Sequence, residues 1–158
     1  MLGKAYQATH ILIINCVIII TDASVDVIEE AFNYFKPNMF FSSFEIEGTA
    51  DRVLIYLTLF IRECIVKSQR CANAKEAEKT LNTFALSNFS MPGDGHFTLG
   101  TMYPAPADKG EADLLKQYIT QLRVETAQRF VKKAFKDNAP DKWWFCFAKR
   151  KFLNKTID

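Results

Sequence analysis

The residues that usually betray chemistry are scarce in this 158-residue chain. There are two histidines, His10 and His96, and neither has a Cys, His or carboxylate at metal-ligand spacing, so no zinc site is indicated. None of the four cysteines, Cys16, Cys64, Cys71 and Cys146, falls in CxxC spacing. Cys64 and Cys71 are seven apart on what reads as one helix, which sets them about 10 Å apart, too far for a disulfide. A disulfide framework is excluded, and a reducing compartment fits better. Charge of one sign is also lacking. Twenty Lys and Arg face 18 Asp and Glu, so any basic effect must come from local clustering. No apolar run reaches the 18 or so residues of a membrane-spanning helix.

Catalytic signatures are missing as well. No GxSxG, HExxH or kinase-type motif occurs. Residues 91–95 (MPGDG) lack the lysine and following helix of a phosphate cradle and read as a turn. Glu29 with Glu30, and Glu76 with Glu78, read as solvated helix faces. Cys146, between Phe145 and Phe147, reads as a buried thiol rather than a nucleophile. No residue set can be assigned catalytic roles, so the chain reads as a non-enzyme without catalytic residues, metal or cofactor.

What is present is apolar and aromatic. Hydrophobic residues make up 49% of the chain, enough for one globular domain with a real core. The 14 Phe, 5 Tyr and 2 Trp imply a Phe-rich interior with some rings left over as docking anchors.

Residues 1–20 stand apart as an atypical apolar N-terminal segment, and 21–158 read as a single helical domain. Residues 11–20 (ILIINCVIII) have the length of a signal-peptide h-region, but the flank is a poor cleavage site. Their β-branching disfavours helix, so a short strand or packed arm is expected. Asp22 or Ser24 then caps a helix running to about Phe35, which Pro37 ends. No Gly or Pro occurs between Thr49 and Ala72, so that stretch is one long helix. Its first half, VLIYLTLFI over 53–61, is apolar all round and must be buried on every side. Arg62, Glu63, Lys67 and Arg70 mark its emergence into water. Asn73 with Glu76 starts a third helix over 74 to about 86. Residues 87–107 hold three Pro and three Gly and read as a long extended loop. Asp108 with Glu111 opens a long helix lined by Leu115, Tyr118, Ile119, Leu122, Thr126 and Phe130, ending near Phe135. Pro140 opens the last helix, with Trp144, Phe147, Ala148, Lys151 and Phe152 on one stripe. The expected fold is all-α: an irregular bundle of about five helices, one central apolar helix surrounded by the others, with a long Pro/Gly-rich loop.

One local asymmetry remains. Lys142, Lys149, Arg150, Lys151 and Lys155 follow Asp141 with no acid until Asp158, interleaved with Trp143, Trp144, Phe145, Phe147 and Phe152. An ordinary amphipathic helix explains this, and so does a docking surface for an acidic protein, an anionic membrane or RNA. Trp and Arg are enriched in binding hot spots, which favours a protein.

Five stretches resemble a known family: EAFNYFKPNMFF (30–41), ADRVLIYLTLFIREC (50–64), NFSMPGDGHFTLG (88–100), QLRVETAQR (121–129) and KWWFCFAKRKFLNK (142–155). In this order and spacing they are similar to subunit 3 of the actin-related protein 2/3 complex. Residues 1–20, and the loop around Gly95, His96 and Thr98, depart from the family pattern. The resemblance implies an all-α, non-catalytic subunit of a seven-protein assembly that nucleates a new actin filament as a branch on an existing one. Its implied partners are actin-related protein 3 and the actin filament. Nucleic acid, membrane and self-association are not expected. The implied location is the cytoplasm and actin cytoskeleton. Actin surfaces are acidic, so Lys149, Arg150, Lys151 and Lys155, with Trp143, are one candidate interface. Phe89, Met91, Pro92 and Phe97 of the loop are a second. A free-standing helical adaptor using its basic end on RNA or lipid is the alternative.

Overall fold

The computed structural model describes residues 11–14, 17–20, 26–40, 46, 48–100 and 102–157. Two short strands, β1 (Ile11–Ile14) and β2 (Val17–Ile20), pair antiparallel with Ile11 opposite Ile20. Strand suits these β-branched residues better than helix. The helices follow: α1 (Val27–Asn38), α2 (Thr49–Ser68), α3 (Ala74–Leu86), α4 (Lys109–Ala134) and the single turn α5 (Lys142–Phe145). Between α4 and α5, β3 (Phe135–Lys136) and β4 (Ala139–Pro140) form a second hairpin. The chain is therefore mainly helical rather than purely so.

The middle of the molecule is α2. Every residue from Leu54 to Ile65 is buried, because α1, α3, α4 and α5 all pack against this one helix. A rod that is apolar all round has no other stable place in water. Its one polar residue in that first half, Thr58, donates its hydroxyl to the Leu54 carbonyl one turn back and so buries no free donor. Two expectations about α2 are corrected. Arg62 and Glu63 do not emerge into water: they are buried and paired with each other. Cys71 lies beyond the helix end, so it and Cys64 do not share a helix, although both are free and buried.

The caps explain where the helices begin. Asn73 accepts from the Glu76 amide at 2.9 Å, and the Glu76 carboxylate accepts from the Ala72 amide. Asp108 and Glu111 repeat this arrangement at α4, with Ala107 as the donor to Glu111. Each pair satisfies amides that a helix start leaves orphaned. At α1 the cap is Asp26, not Asp22 or Ser24, which lie outside the described residues. The Asp26 carboxylate accepts from Ile28 and Glu29 and pairs with Arg129 of α4. Pro37 also differs from expectation, since it sits inside the last turn of α1. The helix loses one hydrogen bond there, and burial of Phe35, Asn38 and Met39 on the same face holds it on course.

Asp26 carries a pH prediction. Burial alone would raise its carboxyl pKa, but the Glu29 amide, the Arg129 guanidinium and the Ile28 amide outweigh that and hold it below the ordinary value. A depressed carboxyl stabilises the fold above its unfolded pKa of ~3.9, and that contribution is lost as pH falls through the folded value. Asp26→Ala is expected to cost about 1–2 kcal/mol at pH 7, a lost cap plus a half-exposed ion pair. Urea melts should show that gap narrowing below pH 4.

Candidate protein interface

The C-terminal segment is built by its aromatic rings. Asp137 and Asn138 both take positive φ, 51° and 64°, in a two-residue hairpin between β3 and β4. The Asn138 side chain accepts from the Ala74 amide and so pins the hairpin to the start of α3. Pro140 stands in β4, where a two-stranded edge tolerates its missing N–H, instead of opening a helix. Asp141 caps α5 through the Trp143 amide and pairs with Lys136. The helix then lasts one turn, and residues 146–149 continue as turns. The expected basic amphipathic helix is thus a short irregular segment. Tertiary contacts override its helical pattern: Trp144 is buried among Phe32, Phe35 and Phe130, at ring distances of 5.7–5.9 Å.

The same packing turns other side chains outward. Trp143 is 63% exposed, with the Lys142 ammonium 5.2 Å from its ring. Lys149, Arg150 and Lys151 are all exposed, and none has a carboxylate partner among the described residues. Cys146 is exposed, not buried as expected, because the chain turns away after Phe145. Lys155 is half-buried and donates to the Thr98 carbonyl. Beneath this surface lies Arg62, which sequence reading left in water. Its Nε donates to the Arg150 carbonyl at 2.9 Å and its Nη2 to the Ala148 carbonyl at 3.3 Å. Arg62 thereby fixes the backbone that carries the three cations.

The loop candidates sit differently. Residues 91–94 form a tight turn, with Gly93 at φ +100° against Ala105, where a Cβ would come within 3.2 Å. Phe97 and Pro92 are buried, and Phe89 and Met91 are half-buried. Phe97 packs edge-on to Tyr103 at 5.4 Å. Arg52 donates to the Met102 carbonyl, and the Tyr103 hydroxyl donates to the Arg52 carbonyl. Phe89 lies over the guanidinium of Arg123, at 4.4 Å. The loop is laced to the body of the chain, and these four side chains chiefly touch its own core.

Arg123 was also missed. It stands four residues after Ile119, so helical spacing put it on the inner face of α4, and that was the available signal. Among the described residues no three His, Cys, Asp or Glu side chains gather to hold a metal. Burial pushes the Cys64 thiol well above its ordinary range, which keeps it an inert thiol. No helix among the described residues is long and apolar enough to cross a membrane.

The family model of the ARP2/3 complex ARPC3 (21 kDa) subunit matches residues 6–157. The chain belongs to this family. The match begins ahead of the isoleucine-rich run, so that run lies within the family's span. Actin-related protein 2/3 complex subunit 3 of Dictyostelium discoideum is 46% identical over 136 residues, 85% of this chain and 78% of the relative. The probable subunit 3 of Caenorhabditis elegans is 45% identical over 135 residues, 84% of this chain and 74% of the relative. The Schizosaccharomyces pombe subunit 3 is 43% identical over 139 residues, covering 86% and 79%. Members of the ARPC3 family are structural subunits of a complex and not enzymes.

Proposed function

We propose that this chain is a non-catalytic subunit of the actin-related protein 2/3 complex, working in the cytoplasm at the actin cytoskeleton. It supports nucleation of branched filaments by contacts with actin-related protein 3 and the mother filament. The family match over residues 6–157 carries this reading. The outward cations at 149–151 support it, since a cluster without carboxylate partners among the described residues suits an acidic protein neighbour. Trp143 and Lys155 flank that cluster in sequence, and Trp143 offers the large exposed ring that interfaces favour. Phe89, Met91, Pro92 and Phe97 act mainly by shaping the loop surface from below. Membrane docking through the C-terminal end loses its physical basis, because a four-residue helix has no amphipathic face to lay on lipid.

The test is charge reversal. Lys149→Glu, Arg150→Glu and Lys151→Glu together are expected to weaken incorporation into the complex at least tenfold, since like charges then face each other. The stability of the isolated chain should change by no more than about 1 kcal/mol, because all three residues are exposed. Unaltered assembly and branching rates would remove these cations from the contact.

A further inference from the structure

We infer that the exposed ring of Phe40 and the guanidinium of Arg150 form one docking contact for a carboxylate-bearing surface on a companion subunit. This rests on the reading of the chain as an assembly subunit, and it adds a residue from the other end of the chain to the surface.

Phe40 follows α1 and is 63% exposed, a large ring left in water. It is not loose. The Arg150 guanidinium lies 4.3 Å from its ring centre, and Phe147 meets it edge-on at 6.2 Å. Phe147 is buried and in turn packs edge-on to Phe35, at 5.7 Å, which is wholly inside the core. A relay of rings therefore runs from the core to the surface and ends in a cation. Behind that cation, Arg62 holds the Arg150 carbonyl. Aromatic and arginine side chains held this way on a rigid backbone lose little freedom when a partner arrives.

The chemistry of the pair selects its partner. A guanidinium lying over a ring still offers N–H donors, and a carboxylate can take two of them at once. Lys149 and Lys151, exposed on either side in sequence, add positive potential with no internal carboxylate partner among the described residues. The matching surface presents an Asp or Glu beside an apolar side chain that covers Phe40. RNA fits less well: the whole chain carries a net charge of only +2, and a few cations give a weak, salt-sensitive grip on a polyanion. Lipid fits less well because the segment lacks an amphipathic helix. A companion subunit fits better than the filament, since a large apolar ring standing in water is the kind of surface that lasting interfaces cover.

The experiment titrates complex lacking this subunit with wild-type chain, Phe40→Ala, Arg150→Ala and the double variant. Lys132→Ala, an exposed cation on α4, serves as the control. Each single variant should bind at least tenfold more weakly. The double should lose less than the product of the two, because the residues act as a unit. Lys132→Ala should match wild type, and the isolated Phe40→Ala chain should still fold, with its melting temperature lowered by no more than about 2–5 °C. Phe40→Ala and Arg150→Ala both within twofold of wild type would overturn the contact while leaving the subunit reading intact. Normal incorporation with impaired filament binding, or with lost RNA or anionic-liposome binding, would overturn the choice of a companion subunit. Failure of the wild-type chain itself to join would overturn the subunit reading.

Discussion

Arg123→Ala lowers the unfolding free energy of the isolated chain by about 3–5 kcal/mol, an expected loss on the scale of deleting a large, fully buried side chain together with its charge-assisted hydrogen bonds. The side chain is fully buried, among the largest so placed in the molecule. Its Nε donates to the Ala85 carbonyl at 3.1 Å and its Nη2 to the Phe84 carbonyl at 2.9 Å. Both carbonyls belong to the last turn of α3, where i+4 amides run out; Phe84 also accepts from the Ser87 amide and hydroxyl, so Ala85 depends more on Arg123. A third donor reaches the Tyr56 hydroxyl of α2 at 3.3 Å. The guanidinium also lies 4.9, 5.0 and 4.4 Å from the rings of Phe60, Phe84 and Phe89. One side chain thus joins α2, α3, α4 and the loop. Alanine leaves the Ala85 carbonyl without this donor and opens a cavity between aromatic rings. Arg123→Lys should recover only part of the loss, because an ammonium cannot reproduce the fork. Urea unfolding at pH 7 reads both values. A loss below 1 kcal/mol for the alanine variant would mean the side chain bridges nothing of consequence.

Leu57→Ala is expected to cost about 2–5 kcal/mol, from lost burial and an incompletely collapsed cavity. Leu57 is fully buried at the middle of α2. Val53, one turn earlier on the same helix, is only half-buried. Val53→Ala should therefore cost about 1 kcal/mol, less volume being lost at a site closer to water. The contrast within one helix is the informative quantity. Equal costs would mean that α2 is not wrapped at its centre.

Much of this architecture was legible because its determinants are local. The Asn73 with Glu76 and Asp108 with Glu111 pairs fix the starts of α3 and α4 by hydrogen bonds reaching at most four residues along the chain, and both starts fall where the sequence places them. The absence of Gly and Pro identifies α2, and its apolar circumference identifies it as central. The same logic would have found Asp26, since Glu29 stands three residues on, but earlier candidates at 22 and 24 drew the start upstream.

The illegible parts depend on partners far along the chain. Arg62 reads as a residue leaving the core, yet the carbonyls that bury it belong to Ala148 and Arg150. The C-terminal stripe has helical spacing, but Trp144 is drawn into a cage of rings from α1 and α4, which ends the helix after one turn. Phe40 reads as part of a connection, and only the Arg150 guanidinium lying over its ring gives it a place in a surface. Of the two sets of interface candidates, the cations at 149–151 face outward, while Phe97 and Pro92 turn inward. Composition could not tell them apart, since an aromatic in a loop serves a core or a partner equally well.

The central claim is that the chain works only as one member of a larger assembly, through its surface. Affinity purification of the tagged chain from its own cells, with identification of the co-eluting proteins, tests this most directly. The account predicts six companions in equal amounts, two of them actin-like. Recovery of the chain alone, or with RNA and no actin-like protein, would contradict it.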